Sequence, residues 1–337
     1  MTQAIQLIDW ADAQQQLTAT FQSSQSETTA YYLSKAYADN TYASYKTDLI
    51  HFIRWTGHPD PFPTTAEMVM HYLTCFAQDL APSTLQHRVA ALSFIHRLRG
   101  LYDPTQDYRV KGILRGIRKD KTEKGWQKEQ AATINLNELR MIIEAMSDSL
   151  RDTRDKALLL TGLIGAFRPT ELATLKMNQL HRVDDAIVIA LGQTKNDQLS
   201  ELKKFKVLPA IEHQLCPVRA LDNWLQQANI KTGNIFRGIT RHEKLNTSHI
   251  SHPTLNGIIK KWMKIIDPDS QRYFSGNTLR ASFITIARQL NIPDPIIAKQ
   301  TLHQDLKTLC IYDRPEMAVK DSPASTLLEA LKNIMPE

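Results

Sequence analysis

Residues 119–133 read "KDKTEKGWQKEQAAT", a polar, lysine-rich stretch without apolar periodicity, and long apolar-periodic runs flank it on both sides. One hydrophobic core cannot be threaded through such a stretch, so the chain is expected to fold as two units joined by a linker. A length of 337 residues suits two domains of ordinary size. The expected organisation is a loosely ordered Gln-, Ser- and Thr-rich segment over 1–28, a first domain over 29–118, the linker, a second domain over 134–322 and a terminal segment over 323–337.

The first domain reads as a helical bundle. In "NTYASYKTDLIHFIRW", Tyr45, Leu49, Phe52 and Ile53 recur at helical spacing and make one apolar stripe. "TTAEMVMHYLTCFAQDL" opens with a capping-box pattern, Thr64 to Glu67, and "PSTLQHRVAALSFIHRLRG" with another, Ser83 to Gln86. The latter run buries Leu85, Val89, Leu92 and Ile95, and a fourth helix runs through "YRVKGILRGIRKD". The second domain opens on a third such pattern, Asn135 to Glu138, with helices through "RDKALLLTGLIGA" and "RPTELATLKMNQL". One β segment follows, "DAIVIALGQTKNDQLSELKKFKVLPA", with β-branched strands on either side of a polar turn. Helices are expected from there to "SPASTLLEALKNIMPE". The fold class is therefore mainly α, with a small β-hairpin or sheet in the second domain.

The formal charge is +6, and the excess permits nucleic-acid binding without requiring it. Arg88, Arg97, Arg99, Arg109, Lys111, Arg115 and Arg118 lie on the first domain's helices and run into the basic linker. Taken singly each is a solvated helix face; taken together they suit a clamp around a polyanion. Three scattered cysteines, Cys75, Cys216 and Cys310, form no CxxC pair and suit a reducing cytoplasm. His249 and His252 have a spacing some metal ligands share but no further partner in sequence, so no metal site is expected. No apolar run approaches transmembrane length and the start lacks a signal-peptide pattern, so the expected location is the cytoplasm.

Breaking a DNA strand without a metal needs a nucleophile at phosphorus, cations for the charge of the phosphorane and a proton for the departing 5′-oxygen. Arginine forks match phosphate oxygens and stay protonated. A lysine can supply the proton, and a tyrosine can store the bond energy as an ester, although its free pKa of about 10 means that it needs help. The chain offers these groups in order. Arg168 and Glu171 lie in "GAFRPTELATL", Lys195 in "GQTKNDQ", Asn277 and Arg280 in "SGNTLRASF", and His303 and Tyr312 in "TLHQDLKTLCIY". Alone, Arg168 before Pro169 is equally a cap or surface charge, Lys195 a solvated hairpin tip and Tyr312 a core residue.

In that order and spacing the motifs resemble those of the tyrosine recombinases, the phage-integrase family, over about residues 30–337, and the compact layout is similar to Cre-like members. The resemblance implies a C-shaped clamp on double-stranded DNA carrying a specific recombination site. It also implies that Tyr312 forms a 3′-phosphotyrosyl bond, that Arg168 and Arg280 hold the nonbridging oxygens and that Lys195 protonates the 5′-oxygen. By the same resemblance His303 would hydrogen-bond the phosphate and Glu171 would orient the site. No cofactor, metal or nucleotide is implied. The resemblance further implies that strands are exchanged in pairs within a DNA-bound tetramer, through a Holliday junction. One position departs from the family: the histidine of the H-x-x-R box is Asn277, and a neutral amide cannot accept the tyrosine's proton.

By the same resemblance "STLQHRVAAL" lies in a major groove, making Ser83, His87 and Arg88 candidates for DNA contact. "SHPTLNGIIKKW" lies in another, offering His252, Asn256 and Lys260. Leu327, Leu328, Leu331, Ile334 and Met335 form one apolar helix face, which folds back on its own domain or, as the family implies, docks on a neighbouring subunit. Two other functions stay open on sequence: a non-enzymatic DNA-binding regulator descended from a recombinase, and a type IB topoisomerase-like enzyme.

Overall fold

The computed structural model describes residues 39–127, 129–192 and 204–312. The chain divides into two compact units between residues 128 and 129. Residues 1–28 and 323–337, Lys195 and the terminal apolar face lie outside the described residues.

The first unit is a helical bundle of α1 (Asp39–Thr56), α2 (Ala66–Cys75), α3 (Pro82–Leu98) and α4 (Tyr108–Glu123). The stripe on α1 does what its spacing predicts: Leu49, Phe52 and Ile53 are buried and Tyr45 is half-buried. Leu49, Phe52 and Tyr45 pack on Val69, Tyr72 and Leu73 of α2, on Leu85, Val89, Leu92 and Ile95 of α3, and on Val110 of α4. Helix α4 continues to Glu123, so the stretch assigned to the linker is helical over its first five residues.

The helix starts differ in detail from the expected capping boxes. Helix α2 is capped by Thr65, whose hydroxyl accepts from the Met68 amide at 3.2 Å. Thr64 is instead buried, its amide donating to His96 Nε2 at 3.1 Å. Helix α3 starts one residue before Ser83, with Pro82 in the first turn where its missing N–H costs nothing.

The second unit holds α5 (Leu136–Glu144), α6 (Leu150–Ile164), the short α7 (Pro169–Ala173), α8 (Pro217–Gln227), α9 (His252–Ile266), α10 (Thr278–Gln289) and α11 (Asp294–Thr301). Here the expected box forms: Asn135 Oδ1 accepts from the Glu138 amide and Glu138 Oε2 from the Asn135 amide, both at 2.9 Å. An antiparallel sheet runs in the order β1 (Leu180–Val183), β2 (Ala186–Leu191), β3 (Lys204–Pro209), and a second one pairs β4 (Arg237–Ile239) with β5 (Leu245–His249).

Two expectations fail here. The helix read through "RPTELATLKMNQL" stops at Ala173, because Leu175 is drawn into the core and its carbonyl accepts from the Ile235 amide at 2.8 Å. Residues 180–183 then pair with β2 as an edge strand. Strands β4 and β5 were expected to be helix. Both are short, and β5 is mostly exposed, so no apolar periodicity marks them; main-chain pairing alone makes them strands. Among the described residues, no helix is long and apolar enough to cross a membrane.

Candidate active site

Helix α6 ends in a Schellman turn that delivers Arg168. The Ala166 amide donates to Leu163 O and the Phe167 amide to Gly162 O, each at 3.0 Å. This puts Ala166 at φ 47, a left-handed conformation that costs an alanine about 1–2 kcal/mol. Gly165 must be glycine for another reason: a Cβ there would sit 2.2 Å from the Phe167 ring. Pro169 then starts α7, and Glu171 reaches back to the residue before it. One Glu171 carboxylate oxygen accepts from the Arg168 amide at 3.0 Å and the other from its guanidinium at 2.7 Å. Glu171 thus aims Arg168, whose side chain is 28% exposed, enough to meet a ligand.

Arg280 lies in the first turn of α10 and is buried. Its Nη1 donates to Ala166 O at 2.7 Å and its Nη2 to Thr301 O at 2.7 Å, with His303 Nε2 3.0 Å away. A guanidinium only donates, so His303 Nε2 accepts and the ring proton sits on Nδ1, 2.8 Å from Thr301 Oγ1. The Thr301 hydroxyl in turn donates to Ile297 O at 2.9 Å. His303 is thereby held neutral. Burial pulls its pKa down to about 4, the Arg280, Arg168 and Lys206 cations add to the fall, and the Glu171 carboxylate opposes it.

Asn277 is exposed at the start of α10 and its side chain does not cap the helix. The preceding Gly276 packs closely against two segments distant in sequence. Its amide donates to Asn256 Oδ1 at 2.6 Å, and a Cβ there would lie 2.8 Å from the Pro169 ring. Tyr312 ends a 3-10 turn, Leu306–Tyr312, anchored by Leu309, which is buried against Ile284, Ala287, Ile297 and Ala298. The structure therefore pairs Arg168 with Glu171 and Arg280 with His303, joins the pairs through the Ala166 carbonyl, and carries the Tyr312 backbone on the segment that follows.

Sequence reasoning missed Lys206 on β3, which is completely buried; Gln300 and Thr301, which close the same cluster; and the anchoring of Gly276 by Asn256. The alternation in "KKFKVLP", which places Lys206 on the face of Leu208, was the available signal.

The groove candidates divide. Ser83, His87, His252 and Lys260 are exposed. His87 Nδ1 lies 2.5 Å from Asp48, a pairing that leaves the ring half-exposed. Arg88 is turned inward: its Nη1 donates to the Tyr72 hydroxyl at 3.0 Å, its guanidinium lies 5.7 Å from the Phe76 ring centroid, and only 11% of its side chain is exposed. Asn256 is likewise engaged by Gly276. These two polar residues therefore hold structure in this conformation.

The phage integrase family model matches residues 132–318. An integrase/recombinase xerD homolog of Selenomonas ruminantium is 31% identical over 296 residues, covering 86% of each chain. Recombinase cre of Escherichia phage P1 is 26% identical over 236 residues, covering 65% of this chain and 67% of its own. Among solved structures, the XerH site-specific recombinase bound to difH substrate in a pre-cleavage complex has a TM-score of 0.52 at 15% identity, covering 84% of this chain and 78% of that one. The last likeness is one of fold.

Proposed function

The chain belongs to the phage integrase family and is a tyrosine site-specific recombinase, and we propose that it cleaves and rejoins double-stranded DNA at a specific site through a 3′-phosphotyrosyl intermediate. The convergence of Arg168, Arg280 and His303 around the Ala166 turn carries this reading, because it concentrates two phosphate-matching forks in one place. Tyr312 Oη attacks phosphorus, the P–O5′ bond breaks, and Lys195 gives its proton to the departing O5′. The tyrosine proton passes to water or to a phosphate oxygen, since Asn277 cannot take it. Rejoining reverses these steps and needs no external energy, because the ester conserves that of the broken bond.

His303 Nε2 carries no proton while it accepts from Arg280. Binding the phosphate through that nitrogen therefore requires a proton there, supplied by protonation of the ring, which an incoming phosphate charge favours, or by a change of tautomer. Ser83, His87, His252 and Lys260 contact DNA, and Arg88 and Asn256 support the helices that carry them. A terminal helix over 323–337 docks on a neighbouring subunit, and two DNA-bound pairs make the tetramer that passes through a Holliday junction.

The test uses nicked DNA from the sequence flanking the gene and looks for an adduct that survives SDS. The wild-type adduct should vanish in Tyr312→Phe, and Asn277→His should form it faster, by up to about 10²–10⁴-fold, the usual worth of general-base help. An adduct that persists without Tyr312 refutes the nucleophile. No gain from Asn277→His refutes the missing-base account.

A further inference from the structure

Strand β3 alternates the wrong way round for a hydrophobic core. Lys206 and Leu208 face inward, while Phe205 and Val207 are 43% and 42% exposed. A one-residue slip would bury both apolar side chains and release the lysine to water, so something specific selects the observed register. Lys206 Nζ supplies it, donating to Gly165 O at 2.8 Å, Ala166 O at 3.0 Å and Gln300 O at 2.8 Å. Three acceptors match the three protons of an ammonium, and the face of Phe167 lies 5.0 Å away. The Gln300 side chain completes the junction, its Nε2 donating to Ile164 O at 2.9 Å and Val207 O at 2.8 Å.

Three chain segments meet at this ammonium: the Schellman turn that delivers Arg168, the strand that follows the segment containing Lys195, and the end of α11 that delivers Thr301 and His303. The turn is the part with most need of a tie. Ala166 is left-handed, and its carbonyl is gripped by Lys206 and Arg280 together.

We propose that Lys206 is a positioning residue for strand cleavage, tying the Arg168 turn, β3 and the His303 segment into one frame before DNA arrives. The proposal rests on the recombinase reading of the site. Lys206 is not a proton donor to the substrate, since all three of its protons are committed to protein carbonyls and the residue has no exposed surface.

Lys206→Met keeps an unbranched chain one atom shorter and removes the donors; Gln300→Leu loosens the same junction without disturbing a buried charge. In the full chain, without DNA, amide exchange over 162–168 and 297–303 should quicken at least about 10-fold in Lys206→Met and less in Gln300→Leu. Affinity for the DNA flanking the gene should stay within about 3-fold, while single-turnover adduct formation falls by about 10²-fold, the cost of a small misplacement of reacting groups. The fall should be equal whether the departing 5′ atom is oxygen or sulfur, because sulfur needs no proton.

Unchanged exchange in both variants overturns the tie, and if Lys206→Met does not fold, Gln300→Leu decides alone. Recovery of the Lys206→Met rate on the sulfur substrate overturns the positioning role in favour of an acid. Absence of any adduct from the wild-type chain counts against the recombinase reading instead, and the exchange measurement still decides the tie.

Discussion

Gly276→Ala tests whether the two arginine motifs are held apart by a single hydrogen atom. The glycine has no need of a left-handed backbone, so the substitution acts through space alone. A Cβ would lie 2.8 Å from both Cβ and Cγ of Pro169 and 3.0 Å from Asn256 Oδ1. Carbon atoms pack best at about 3.5–4.0 Å, so the proline must retreat by about 0.7 Å or more. Pro169 is the first residue of α7 and directly follows Arg168, so the guanidinium moves with it. Overpacking of this kind costs about 1–3 kcal/mol. For a unit of this size that is a fall in Tm of roughly 2–12 °C, at about 2–4 °C per kcal/mol. A displacement approaching 1 Å lowers the cleavage rate by about 10²-fold.

Thermal melting of the full chain and single-turnover adduct formation read the two effects separately. Pro169→Gly removes the opposing ring atoms, so the double variant should recover part of both losses, a coupling that independent sites would not show. A Tm and a rate both equal to wild type would refute the close approach. A lowered Tm with an unchanged rate would show that the contact holds the fold but not the site.

His303 makes stability depend on acid. Its pKa is about 4 in the folded chain against 6.5 unfolded, so between those values the unfolded chain binds the extra proton. The associated stability is complete above about pH 6.5 and is lost as pH falls towards 4; His303→Gln should flatten the Tm slope in that window, and an unchanged slope would refute the assignment. Arg88→Ala should destabilise the first unit rather than change which bases are read, since it strips a donor from the buried Tyr72 hydroxyl, whose pKa burial pushes up to about 12 against the pull of Arg88. A loss of about 1–3 kcal/mol is expected, with affinity changing alike on matched and mismatched sites. Loss of base preference at one position with no change in Tm would return Arg88 to the groove.

Legibility followed how far each feature depended on local pattern. The stripes on α1 and α3 and the reciprocal Asn135–Glu138 cap could be read directly, because a helix face and a helix start are set by neighbours three and four residues away. The order of Arg168, Arg280, His303 and Tyr312 was legible as a resemblance. The joining of Arg280 and His303 to the Arg168 turn was not, since it passes through backbone carbonyls at Ala166 and Thr301 that carry no signature in the side-chain sequence. Strands β4 and β5 were invisible for a related reason: they are made by main-chain pairing. Arg88 and Asn256 looked like surface polar residues because a sequence does not say which way a half-buried side chain turns.

The same dependence on carbonyls bears on how the site works. Arg280 and Lys206 are both buried, and in the chain without DNA both are satisfied by protein oxygens. Their desolvation is thus completed during folding, when many favourable contacts form at once, and does not have to be repeated at each encounter with a phosphate. Arg168, held by Glu171, is the one of these three cations that stays partly exposed. The strained left-handed Ala166 sits where the two buried cations join. Relaxing it with glycine would release strain while loosening the turn, so Ala166→Gly should change stability little and slow cleavage, separating the frame from the fold that carries it.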